Sequence, residues 1–126
     1  MEQTNSPTIL FVDKDADRKE RISLLKKNGF KVFPALDIGQ ARERYKPGKF
    51  DLIIVNAQNN NPQLALAMCD DIIRRDAHQL LLLMAAPELQ LPARQYLVSP
   101  QPEKVAERAK TLFAERSEAE KKSFAA

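Results

Sequence analysis

Five short apolar runs, separated by longer stretches that mix charged and apolar positions, set the rhythm of this chain. Thr8-Ile9-Leu10-Phe11-Val12, Lys31-Val32-Phe33-Pro34-Ala35, Asp51-Leu52-Ile53-Ile54-Val55-Asn56, 80–85 and 95–98 each have the length of a strand. The third run is apolar without alternation from Leu52 to Val55, the pattern of a strand buried on both faces. Pro34 cannot donate to a ladder, so the second strand belongs at or near a sheet edge.

The intervening stretches carry helical spacing. Asp15 or Asp17 is placed to cap a helix over about 16–28 that carries Ile22 and Leu25 and stops at Asn28-Gly29. Asp37, with Gln40 three residues later, reads as a capping box for a helix carrying Ile38, Ala41 and Tyr45. Lys46-Pro47-Gly48-Lys49 ends it, and Asn59-Asn60-Asn61-Pro62 leads into a third helix over about 63–75. Pro102 opens a last helix with Val105, Ala109, Leu112 and Phe113 on one face.

Strands alternating with helices argue a three-layer α/β/α sandwich around a parallel sheet. One connection breaks the rhythm. The stretch 86–94 is too short for a regular helix and is interrupted by Pro87 and Pro92, so the helix of the fourth crossover is expected to be shortened or missing. One face of the sheet is then thinner there. The organisation predicted is a flexible N-terminus over 1–7, one globular domain over 8–115 and a polar extension over 116–126 whose helix is expected to fray.

In open parallel sheets the chemistry collects beyond the carboxyl ends of the strands. The residue delivered there by the third strand is Asn56. An Asp at that point could accept a phosphoryl group as a nucleophile, whereas an amide nitrogen is delocalised into its carbonyl and cannot.

Composition narrows the field only modestly. A chain of 126 residues with 44% hydrophobic and 29% charged positions fits one globular domain, and no apolar run approaches a membrane span. The start lacks the basic and apolar regions of a signal peptide, which points to the cytoplasm. A single cysteine, Cys69, excludes an internal disulfide; flanked at helical spacing by Ala65, Met68 and Ile72, it reads as a packing thiol. His78 has neither a second His nor a neighbouring Cys to complete a metal site and reads as a surface residue. No cofactor is expected.

Four motifs, taken in order, resemble the receiver domain of bacterial response regulators over 8–115. Ile9-Leu10-Phe11-Val12-Asp13-Lys14-Asp15 is similar to the family's first strand and acidic pair. The run to Asn56 is similar to the strand that delivers its phospho-accepting Asp. Met84-Ala85-Ala86 stands where the family has a Thr or Ser followed by Ala, and Tyr96-Leu97-Val98-Ser99-Pro100 where it has an aromatic, two apolar residues, Lys and Pro. The resemblance implies a flavodoxin-like fold of five parallel strands in the order 2-1-3-4-5.

The departures fall on the chemistry. The acidic pair that holds a divalent metal in the family becomes Asp13 and Lys14, and a hard dication wants several anionic oxygens. The phosphoacceptor becomes Asn56, the hydroxyl residue Ala85 and the phosphoryl-pairing Lys Ser99. Of the five polar site residues only Asp13 remains. A mechanism that works by positioning and charge neutralisation has lost its parts. The expectation is therefore a pseudo-receiver that does not take phosphate, is not an enzyme, and acts in a bacterial two-component or phosphorelay-type pathway by binding another protein.

Within that expectation several readings stay open. Lys14 either replaces the metal's charge on Asp13 or belongs to a partly solvated cluster with Asp13 and Asp15. Asn56 either mimics one state of the switch or is a neutral replacement. Tyr96 aligns with the aromatic whose rotamer reports activation in the family, or is an ordinary half-buried tyrosine. Ser99-Pro100 is expected to keep the family's cis bond.

Arg18, Lys19, Arg21, Lys26 and Lys27 make the first helix basic, either as a solvated face or as a surface for a kinase, phosphotransferase or output protein. Arg18 and Arg21, with Pro87, Leu89 and Leu91 of the altered crossover, are the partner-surface candidates; a second copy of this chain is another. Two further functions compete. A flavodoxin-type cofactor binder is disfavoured because the loop Asp13-Lys14-Asp15-Ala16 is acidic where such sites cradle phosphate. A small nucleic-acid-binding domain is disfavoured by Asp17 and Glu20 within the basic helix, by two Tyr, six Phe and no Trp, and by a net charge of only +3. No membrane partner is expected.

Overall fold

In the computed structural model the described residues are 6–57, 61–85 and 97–125, without the side chains of Leu97 and of residues from Arg116 onward. They form β1 (Thr8–Val12), α1 (Arg18–Lys27), β2 (Lys31–Ala35), α2 (Ile38–Arg44), β3 (Leu52–Asn56), α3 (Pro62–Arg75), β4 (Leu80–Met84), β5 (Leu97–Val98) and α4 (Pro102–Ala125). The strands make one sheet in the order β2-β1-β3-β4-β5, every pair parallel. Pro34 does lie on an edge strand, opposite Phe11. Among the described residues no helix is long and apolar enough to cross a membrane.

The pleat sorts the core into two halves. Ile9, Phe11, Leu52, Ile54, Leu82 and Met84 pack against Leu25 of α1 and Val105, Ala106 and Ala109 of α4. Leu10, Val12, Ile53, Val55, Leu81 and Leu83 pack against Ile38 and Ala41 of α2 and Ala65, Met68, Cys69 and Ile72 of α3. Neighbouring residues of each strand feed opposite layers, so the central strands are apolar at every position. Cys69 is buried in the second layer, as its spacing predicts, and His78 is exposed.

The helix ends follow the sequence signals with local corrections. α1 begins at Arg18, with Asp17 at the N-cap position but no side-chain cap bond; the Asp15 carboxylate goes to Arg21 instead. Its C-terminus is a Schellman turn, with Phe30 N–H donating to the Leu25 carbonyl, Gly29 N–H to Lys26, and Gly29 at φ +90. At α2 the Asp37 carboxylate accepts from Gln40 N–H, but the Gln40 side chain accepts from Leu36 N–H, one residue ahead of the usual box partner. Asn61 caps α3 by accepting from Gln63 and Leu64 N–H groups. α4 continues in helical geometry to Ala125.

The fourth crossover lies outside the described residues. With it go the expected loss of its helix, the switch-like role of Tyr96 and the partner-surface residues Pro87, Leu89 and Leu91.

Candidate functional site

The carboxyl edge of the sheet brings the acidic loop after β1, the end of β3 and the β5–α4 turn together. Asp13 directly follows β1, and its N–H donates to the Ala35 carbonyl, extending the β1–β2 ladder by one bond. That bond fixes the backbone, and the carboxylate turns inward with only 1% of the residue exposed. Asp13 Oδ1 accepts from Asp15 N–H at 2.9 Å and from Asn56 Nδ2 at 3.1 Å. Asp13 Oδ2 accepts from Arg21 Nη1 at 2.8 Å.

Arg21 is the residue that sequence reasoning placed wrongly. It was a candidate for the partner surface, yet it is 6% exposed and points into the sheet edge. Arg21 precedes Leu25 by one helical turn, and Leu25 is fully buried, so the two share the core-facing stripe of α1. That spacing was the available signal. The guanidinium has further partners: Nη2 lies 3.3 Å from Asp15 Oδ2, and Nε donates to the Pro100 carbonyl at 2.6 Å. Lys14, the sequence's candidate for the cation on Asp13, is exposed, and Arg21 occupies that role. Arg18 is half-buried and donates from Nη1 to the Asp15 carbonyl, so it too is partly committed to this loop.

The remaining expected positions converge on the same edge. Asn56 closes β3 and is 1% exposed, its amide nitrogen committed to Asp13. Ala85 is buried and offers no side-chain polar atom; its N–H donates to the Val98 carbonyl. Ser99 Oγ accepts from Gln101 N–H at 3.4 Å, a turn that leads into α4. The Ser99–Pro100 bond is trans, contrary to the expected cis form. Trans is the intrinsic preference of an X–Pro bond, and here the Pro100 carbonyl is engaged by Arg21.

Comparison with solved structures matches the fold to a known architecture. A response regulator from Thermotoga maritima superposes with TM-score 0.67 at 18% identity, over 87% of this chain and 99% of that one. The non-phosphorylated HemR receiver domain from Leptospira biflexa gives TM-score 0.64 at 22% identity, over 86% and 92%. The chain has the receiver fold. No family model matches the sequence, and no curated protein does.

The receiver fold implies a divalent metal beside the acidic pair, and these residues do not fit one. Among the described residues no three His, Cys, Asp or Glu side chains are grouped as ligands. The two carboxylates that do meet share a guanidinium at 2.8 and 3.3 Å. A fixed positive charge about 4 Å from a cation repels it by about 4 kcal/mol per unit charge at an effective dielectric near 20. Arg21 thus places a positive charge on both carboxylates from within the chain.

Proposed function

We propose that this chain is a phosphorylation-independent receiver-like domain of a bacterial two-component or phosphorelay-type pathway, acting by binding another protein and catalysing nothing. The observation that carries this reading is the Arg21 guanidinium seated on Asp13 and Asp15, with the Asn56 amide against the same Asp13 carboxylate. In that arrangement the cation that would recruit a phosphoryl donor is replaced, and the group that would attack it is not a nucleophile. Ala85 and Ser99 add neither a well-placed hydroxyl nor a cation for phosphoryl oxygens.

The same contacts support a domain held in one conformation. Arg21 ties the turn at Pro100, where α4 begins, to the acidic loop through its own side chain. A surface built on α1 and α4 would then have one shape whatever the phosphorylation state of the pathway. The cytoplasm is the compartment such a partner implies.

The test is incubation with phosphoramidate and Mg²⁺ followed by intact-mass analysis. The unmodified mass alone is the expected result. A phosphoryl adduct that is labile to hydroxylamine, as an acyl phosphate is, would overturn the reading.

A further inference from the structure

At the opposite end of the sheet, α2 and α3 converge on a cleft of about 250 Å³ lined by Arg42, Tyr45, Met68, Asp71, Ile72 and Arg75. Strands run toward Asp13 and helices run back, so the last turns of α2 and α3 lie at the amino end of the sheet, away from the acidic loop. Tyr45 is 9% exposed, its ring packed in the α2–α3 layer of the core. Its hydroxyl is buried without a hydrogen-bond partner among the described residues. A buried polar group left unsatisfied is costly, and native proteins rarely carry one without a reason.

The charges around this hydroxyl are unevenly committed. Asp71 is engaged by Arg42 and Arg74, both at 3.0 Å. Arg75 takes part in no salt bridge among the described residues. It nevertheless lies near the phenol: burial and the Asp76 carboxylate push the Tyr45 hydroxyl's pKa up, and the Arg75 charge opposes them. Basic residues in the last turns complement the helix dipoles. That accounts for where the arginines are, but neither for the hollow between the helices nor for a phenol without a partner.

We propose that this cleft binds a small organic carboxylate, with Tyr45 Oη donating to a carboxylate oxygen, Arg75 balancing its charge, and Met68 and Ile72 bearing its apolar body. A site with an apolar floor and a few convergent polar groups is the usual form of a small-molecule pocket. The cleft's size suits a compact ligand rather than a dinucleotide. The assignment stands apart from the acidic loop, so either can fail without the other.

The experiment is an amide NMR titration of the whole chain with benzoate, and with benzamide as its uncharged counterpart. Benzoate should give saturable shifts at Arg42, Tyr45, Ile72 and Arg75, while benzamide should give none. Tyr45→Phe and, separately, Arg75→Gln should each weaken benzoate binding about tenfold, the loss expected for one charge-assisted hydrogen bond. Tyr45→Phe should melt no lower than the parent, because the group removed has no partner to lose. Absence of saturable shifts with benzoate would overturn the proposal, as would equal binding of benzamide or undiminished binding by both variants.

Discussion

Arg21 Nη1 lies 2.8 Å from Asp13 Oδ2, an ion pair in which the Asp13 side chain is wholly buried and that of Arg21 nearly so. The pair joins α1 to the end of β1, and through Nε it also holds the Pro100 carbonyl at the start of α4. Taking both ions out of water is costly, and the arrangement holds because each is also hydrogen-bonded elsewhere. Asp13 has the Asp15 N–H and the Asn56 amide; Arg21 has Asp15 and Pro100.

Removing one partner should therefore cost far more than a surface ion pair does. Arg21→Met strands the Asp13 carboxylate and is expected to lower unfolding stability by about 3–5 kcal/mol, read from urea denaturation. A loss below about 1 kcal/mol, the range of exposed pairs, would mean the contact is solvated in practice. The same variant, if folded, opens the acidic pair: Mn²⁺ should broaden amide signals at Asp13 and Asp15 in Arg21→Met and leave those of the parent sharp.

Placing a carboxylate at position 56 should not by itself give phosphotransfer. Asn56→Asp replaces a donor to Asp13 by a second carboxylate at the same buried spot. Stability is expected to fall by about 1–3 kcal/mol from the lost bond and like-charge contact. Intact mass after treatment with phosphoramidate and Mg²⁺ should still show no adduct, because Arg21, Ala85 and Ser99 are unchanged. Efficient phosphorylation of this variant would show that Asn56 alone is the block.

Cys69 gives a pH-dependent signature. Burial, with a smaller push from Asp70, raises its thiol from 9.0 to about 12. The native thiol should thus resist Ellman's reagent at pH 8 and react at once in denaturant. The folded state holds this proton more tightly than the unfolded chain does, so between about pH 9 and 12 the unfolded state binds fewer protons and stability falls as pH rises. Cys69→Ala should flatten that part of the stability profile; an unchanged slope would assign it to other groups.

The cap of α3 offers a smaller, local test. Asn61 Oδ1 accepts from two otherwise unpaired N–H groups of the first turn. Asn61→Ala should cost about 1 kcal/mol, and Asn61→Asp should keep most of the stability, both measured by thermal melts.

The layered fold was legible in the sequence because its causes are local. Alternating burial along strands flanked by helical spacing leaves few architectures, Gly29 marks a turn that needs positive φ, and Pro34 excludes a central strand. The ends of elements were less legible. α4 runs to Ala125 through a stretch rich in Ala, Glu, Lys and Arg, whose intrinsic propensity favours helix.

The positions of the site were legible, but not the contacts that join them. Asn56, Ala85 and Ser99 could be placed at the carboxyl edge of the sheet from their places in four motifs. Arg21 could not be found by counting apolar residues, because a long side chain with a charged tip was sorted with the basic surface. Its four-residue offset from Leu25 carried the information. The trans Ser99–Pro100 bond corrects an expectation taken from the family's geometry rather than from any residue of this chain.

The most direct measurement of the central claim is an amide NMR titration with Mg²⁺, followed by Mg²⁺ with beryllofluoride, a stable mimic of the phosphoryl group. If Arg21 and Asn56 fill the site as described, no saturable shifts appear at Asp13, Asn56 or Ser99 in either step. Saturable shifts at those three residues on adding beryllofluoride would contradict the account, and would mean that the substituted site still takes a phosphoryl group.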